Sequence, residues 1–146
     1  GNRLAVLCCS SGLSLLESTG DDSVFTAEWM QVVESILTVF KDQQRKEIGV
    51  IIFLRVTDRQ YDTLSNDGYG NPVRANGLIA SSFRPSDDAT VYPFLIPSNF
   101  FAVTSLRQME EILLKVNKNK AMARGAIVLY MEVGVSVEKT CHTQAS

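Results

Sequence analysis

The sequence predicts a mainly α-helical fold, built from helix hairpins with one long ordered loop between them. Three observations carry that expectation. Trp29, Val32, Val33, Ile36, Leu37 and Phe40 fall at i, i+3, i+4, i+7, i+8 and i+11, one stripe of a 3.6-residue helix. Ala102, Leu106, Met109, Leu113 and Val116 recur at helical spacing further along. Between these segments, residues 57–97 hold Gly68, Gly70, Gly77 and all four prolines without any helical period.

The elements follow in order. Residues 3 to 18 present a broad apolar face from Leu4, Leu7, Cys8, Leu15 and Leu16, and Gly20-Asp21-Asp22 stops that helix. In the next helix Thr26 can cap the start and Glu28 suits the positive end of the dipole. Lys41, Arg45 and Lys46 suit its negative end. The two helices and their short polar turn predict an antiparallel hairpin. IGVIIFLRV, residues 48 to 56, is β-branched enough for one short strand or extended edge. A third helix is expected from Pro97-Ser98 to about Asn117. AMARGAIVLYMEVGVSV is continuously apolar with Gly125 and Gly134 inside, and helix is favoured over strand. The loop carries Tyr61, Leu64, Tyr69, Leu78, Ile79, Phe83, Tyr92, Phe94, Leu95 and Ile96, too much apolar surface for a solvated linker, so it should be pinned onto the helices.

A length of 146 residues, 45% hydrophobic and 21% charged, fits one compact globular unit, 1–146, and a start at Gly1 predicts a piece of something longer. A net charge of −2 with scattered basic residues gives no reason to expect nucleic acid or an anionic membrane as partner. No apolar run approaches the roughly 20 residues of a membrane span. LAVLCCSSGLSLL lacks the charged start and cleavage context of a signal peptide. Cys8 and Cys9 are expected as buried free thiols. Without CxxC spacing, and with His142 alone near the end, a metal site is not expected. No cofactor is called for.

The chemistry should lie in FRPSDDATVYPFLIPSNFFAV, residues 83 to 103. An aspartate held among Phe83, Tyr92 and Phe94 would lose water, which favours its protonated form and suits a general acid. Asp87 and Asp88 point to opposite sides in extended chain, so one of them is expected to face a cavity. Arg84 could orient that carboxyl or grip a substrate hydroxyl. The plainer alternative is that Ser86 and Asp87 are turn residues and Arg84 ties the loop down. SNDGYGNP lacks the ligand spacing of a calcium loop and reads as a tight turn, and GYGNPVRANG contains no P-loop. Arg55, Arg59 and Asp62 could form a charged cluster at the loop entrance, for ion pairing or for sugar hydroxyls.

The pieces DTL, GYG-NPV, GLIASSFRPSDDA and FLIPSN occur in order within residues 62–99, inside a likeness that runs from residue 13 to about 117. Together they resemble glycoside hydrolase family 125, exo-acting α-1,6-mannosidases that in fungi are often labelled meiotically up-regulated proteins. The resemblance implies part of an (α/α)6 toroid, a mannose-containing glycan as partner, and inverting hydrolysis without metal. Such hydrolysis pairs an acid with a base roughly 6.5–9.5 Å away, leaving room for water. It places the acid in RPSDD, with Asp87 favoured over Asp88; Arg84, Ser86, Arg55 and Asp62 are the candidate substrate contacts. Residues 118–146 lose the resemblance, and neither Glu132 nor Glu138 matches the family's base.

Two further expectations follow. The chain by itself should lack the base and be inactive, with exposed apolar surface that favours self-association. The alternatives are a non-catalytic carbohydrate-binding or interaction fragment, and a truncated gene product without activity.

Overall fold

The computed structural model of the chain describes residues 2–45, 52–116 and 119–143. Among these, four α-helices run in order: α1 (Asn2–Thr19), α2 (Ala27–Gln43), α3 (Ile96–Lys115) and α4 (Lys120–Thr143). Each boundary has a local cause. The chain leaves α1 through Gly20, whose N–H still reaches the Leu16 carbonyl and whose φ of 69° is left-handed. Thr26 caps α2 by accepting from the Trp29 N–H. Pro97 occupies the first turn of α3, where its missing N–H costs nothing. Asn119 starts α4, its side chain accepting from the N–H groups of Ala121 and Met122.

The core is a layer of helix faces. Leu106, Met109, Ile112 and Leu113 of α3 are essentially buried, as are Ala123, Ala126, Leu129, Val133 and Val137 of α4. Val33, Leu37 and Phe40 of α2 complete it. Truncating a residue such as Leu106 to alanine is expected to cost about 2–5 kcal/mol, a lost transfer energy plus a cavity.

α3 packs along α4 and against α1, while α2 touches α4. The expected hairpin of α1 on α2 is therefore corrected: the two are chain neighbours, but each takes its principal partner elsewhere. Sequence period shows that a face is apolar, not which face it meets. Leu15 also departs from expectation, being exposed. At Gly12, by contrast, an added Cβ would touch Phe25 and Ile112.

The tail from residue 120 is helix, as favoured. Residues 48–51 of the expected strand, and the side chains of Cys8, Cys9 and His142, lie outside the described residues. Residues 52–57 form no strand. Phe53 instead exchanges backbone bonds with the turn at Gly68 and with Leu64. No helix among the described residues is long and apolar enough to cross a membrane.

Candidate functional site

The long loop is ordered because buried amides hold it. The Gln44 side chain donates to the Gly77 carbonyl at 2.8 Å, and the Ala80 N–H donates to the Gln43 carbonyl at 2.9 Å. Asn99, buried in the first turn of α3, bonds both backbone groups of Ile79. Leu78, Ile79 and Ala80 are thereby pressed into the core. Sequence reasoning missed these anchors. The signal was present, since Asn99 ends the FLIPSN piece and Gln43-Gln44 follow the last apolar turn of α2.

Beyond this anchor the chain turns back on itself. Ser81 N–H donates to the Pro93 carbonyl, Thr90 N–H to Ser82, and Phe83 pairs with Ala89 in an antiparallel bridge. Thr90 Oγ1 adds a bond to the Ser81 carbonyl at 2.7 Å. The tip of this hairpin is Arg84-Pro85-Ser86-Asp87-Asp88, closed by Arg84 N–H to the Asp88 carbonyl and Asp87 N–H to the Arg84 carbonyl.

The two aspartates differ sharply. Asp88 is half-buried: its Oδ2 accepts from Ser86 Oγ at 2.6 Å and lies 3.9 Å from an Arg84 guanidinium nitrogen. Arg84 and Ser86 thus converge on Asp88, the tying-down role that was the plainer alternative for Arg84. Asp87 sits in the left-handed region at φ 70° and is exposed. A non-glycine residue held there signals a turn that its surroundings over-determine.

The expected desolvation of an aspartate by Phe83, Tyr92 and Phe94 is not met. Phe83 stacks edge-on against Phe53 at 4.8 Å, Phe94 packs onto the helical core, and Tyr92 is 86% exposed. The hairpin register sends these rings elsewhere and leaves Asp87 at the tip.

Arg55 and Asp62 belong to the neighbouring turn, which meets the tip through one bond from the Ala89 N–H to the Tyr61 carbonyl at 2.8 Å. The Arg55 guanidinium lies 5.2 Å over the Phe53 ring. Asp62 accepts from the Thr57 hydroxyl at 3.3 Å. Among the described residues no ion pair joins Arg55, Arg59 and Asp62, so the expected charged cluster does not form. The loop links Arg55 over Phe53, Phe53 against Phe83, and then the turn of Arg84, Ser86 and Asp88 with Asp87 exposed in it. No group of three His, Cys, Asp or Glu among the described residues is placed to hold a metal.

The family model for metal-independent alpha-mannosidases, GH125, matches residues 7–146. The chain belongs to glycoside hydrolase family 125. The GH125 match includes residues 118–146, beyond the stretch whose motifs are visible by eye. A relative from Schizosaccharomyces pombe, the meiotically up-regulated gene 157 protein, is 38% identical over an alignment of 120 residues that covers 75% of this chain and 23% of that protein. Among solved structures, a metal-independent alpha mannosidase from Streptococcus pneumoniae, in a non-productive complex with alpha-1,6-mannobiose, superposes with a TM-score of 0.84 at 31% identity. It covers 95% of this chain and 33% of the other. The helices therefore belong to the (α/α)6 fold of GH125, and the chain spans about a third or less of the length of these relatives.

Proposed function

We propose that this chain carries the acid-bearing part of an exo-α-1,6-mannosidase that removes terminal mannose with inversion. One observation carries the reading: in a member of GH125, the RPSDD turn presents an exposed carboxyl, Asp87, from a tip braced by Ser86 and Arg84 through Asp88. The alpha-1,6-mannobiose bound to the Streptococcus pneumoniae relative supports a mannose-containing glycan as the ligand.

The division of work follows from the contacts. Asp88, committed to Ser86 and Arg84, acts as a positioning residue for the tip. Asp87, with its side chain open to a ligand, donates the proton to the departing glycosidic oxygen once the bound sugar and segments from outside residues 1–146 exclude the water that this turn alone does not. A second carboxylate, from outside residues 1–146, activates water on the opposite face of the sugar. Arg84 and Ser86 are placed to reach sugar hydroxyls at the same edge, and Arg55 and Asp62 form the next turn along it.

The test has two arms. With α-1,6-mannobiose, the 146-residue chain is expected to show amide shifts at residues 84–88 by NMR and no mannose release; release by this chain alone overturns the missing base. In a longer form of the protein containing this segment, Asp87→Asn is expected to lower kcat by about 10²–10⁴ with KM little changed. Unaltered turnover in that variant removes Asp87 from the mechanism.

A further inference from the structure

Residues 65–71, SNDGYGN, form a turn closed on itself. Gly70 N–H donates to the Ser65 carbonyl at 2.8 Å, Tyr69 N–H to the Asn66 carbonyl at 3.0 Å, and the Asn66 side chain to the Gly70 carbonyl at 2.9 Å. Asn66, Asp67, Gly68 and Gly70 are all left-handed, with φ of 50°, 53°, 86° and 73°. Two of the four are not glycine, so the surroundings over-determine this shape. The turn lies directly on Phe53, whose ring meets Phe83: Phe53 N–H donates to the Gly68 carbonyl at 2.9 Å.

Asn71 reaches from this turn to the RPSDD hairpin. Its Oδ1 accepts from the Ser65 hydroxyl at 2.9 Å, and its Nδ2 donates to the Val91 carbonyl at 2.9 Å. The Ser65 bond fixes which end of the amide is nitrogen, and a carbonyl takes only that end. Val91 lies on the return arm, four residues past Asp87. Thr90 N–H faces the partner arm at Ser82, so Ala89 and Val91 turn their backbone groups to the other edge. There Tyr61 takes the Ala89 N–H, and Asn71 supplies the Val91 carbonyl. Gln44 and Asn99 hold the foot of the hairpin; Asn71 holds its arm.

We infer that Asn71 is a positioning residue for the acid: it sets the angle of the hairpin, and so the reach of Asp87 toward the glycosidic oxygen. The inference rests on Asp87 as the proton donor, as proposed above. With roughly 10 Å of chain between Val91 and the tip, a pivot of about 5° carries the carboxyl by about 1 Å. A misplacement of about 1 Å costs on the order of 10²-fold in rate. Neither Asn71 nor Val91 is buried, so loss of their bond weakens the fold little.

The experiment compares two substrates in a longer form of the protein that contains this segment and releases mannose. The departing oxygen of α-1,6-mannobiose needs a proton. Dinitrophenolate leaves dinitrophenyl α-mannoside as a stable anion and needs none. Asn71→Ala is expected to lower kcat on the disaccharide by about 10–100-fold with KM little changed, and on the aryl mannoside by less than about threefold. Asn71→Asp keeps the Ser65 bond but has no donor for Val91, and should lose as much. Ser65→Ala should lose less, in the same pattern. Combined with Asp87→Asn, Asn71→Ala should slow the disaccharide no further, because it acts through that carboxyl.

Equal losses on both substrates, or a double variant slowed by the product of the single effects, overturn the inference and leave Asn71 a structural tie. Undiminished disaccharide turnover in Asn71→Ala overturns it as well. Undiminished disaccharide turnover in Asp87→Asn overturns the choice of acid and the inference with it, whereas the other outcomes overturn the inference alone.

Discussion

Asn99 and Ile79 exchange two hydrogen bonds: the Asn99 side-chain oxygen accepts from the Ile79 N–H at 2.8 Å, and its amide donates to the Ile79 carbonyl at 3.0 Å. A single amide side chain thus does for Ile79 what a neighbouring strand would do. The same amide also donates to the Leu95 carbonyl at 3.0 Å, tying the loop to the start of α3.

Asn99→Ala leaves two backbone groups of Ile79 without partners where water does not reach. Its expected cost is about 2–4 kcal/mol of stability. Asn99→Asp keeps the acceptor and loses the donor, and should also destabilise. Urea titration of both variants, read by midpoint at unchanged m, checks this.

Gly77 has φ of 87°, and an added Cβ would collide with Ser136 Oγ of α4. Gly77→Ala is expected to cost about 1–3 kcal/mol, from backbone strain and the clash together. Adding Ser136→Ala should recover only the clash part. A double-mutant cycle in denaturant measures that coupling, and strictly additive effects would refute the contact.

Gly125 and Gly134 lie inside α4, and an added Cβ at either would meet nothing within 4 Å. Alanine at each site restricts the unfolded chain without crowding the folded one. Each substitution is expected to stabilise by about 0.5–1 kcal/mol, raising the thermal midpoint.

The junction between α1 and α2 should loosen in acid. A hydrogen bond from the Ser23 backbone N–H holds Asp21 below its usual 3.8, and the Thr26 hydroxyl holds Glu28 below its usual 4.5. Both folded values are depressed, so their contributions are present above those ordinary values and fade as pH falls through the lowered ones. Lys115 behaves oppositely. Glu111 at 2.8 Å and Glu17 at 2.9 Å raise it above 10.5, so its tie between α3 and α1 persists until strongly alkaline pH. Amide exchange at residues 20–28 below pH 4.5, compared with neutral pH, checks the acid limb.

The helices were legible where a single apolar stripe ran long enough to outvote local exceptions, as in α2 and α3. The order of the loop was legible from its ten large apolar side chains. The pairing of helices was not, because α1 and α2 each carry an apolar face that would fit several partners. The aspartates show a different limit. Chain proximity put Phe83, Tyr92 and Phe94 around Asp87, yet the Phe83–Ala89 bridge and a left-handed residue at 87 turned the rings one way and the carboxyl another. The role of Arg84 was visible as an alternative, since Arg and Asp four residues apart across a turn can meet.

The amide anchors at Gly77 and Ile79 have a consequence for variation in length. They hold the end of the loop independently of the turn around Asn66 and Asp67, which closes through its own bonds and meets its neighbours through Phe53, Tyr61 and Asn71. Lengthening a flexible closure is cheap, about 0.6 kcal/mol for each doubling. Extra residues spliced in at Asp67 should therefore be absorbed without displacing the docked segment or the helices beneath it.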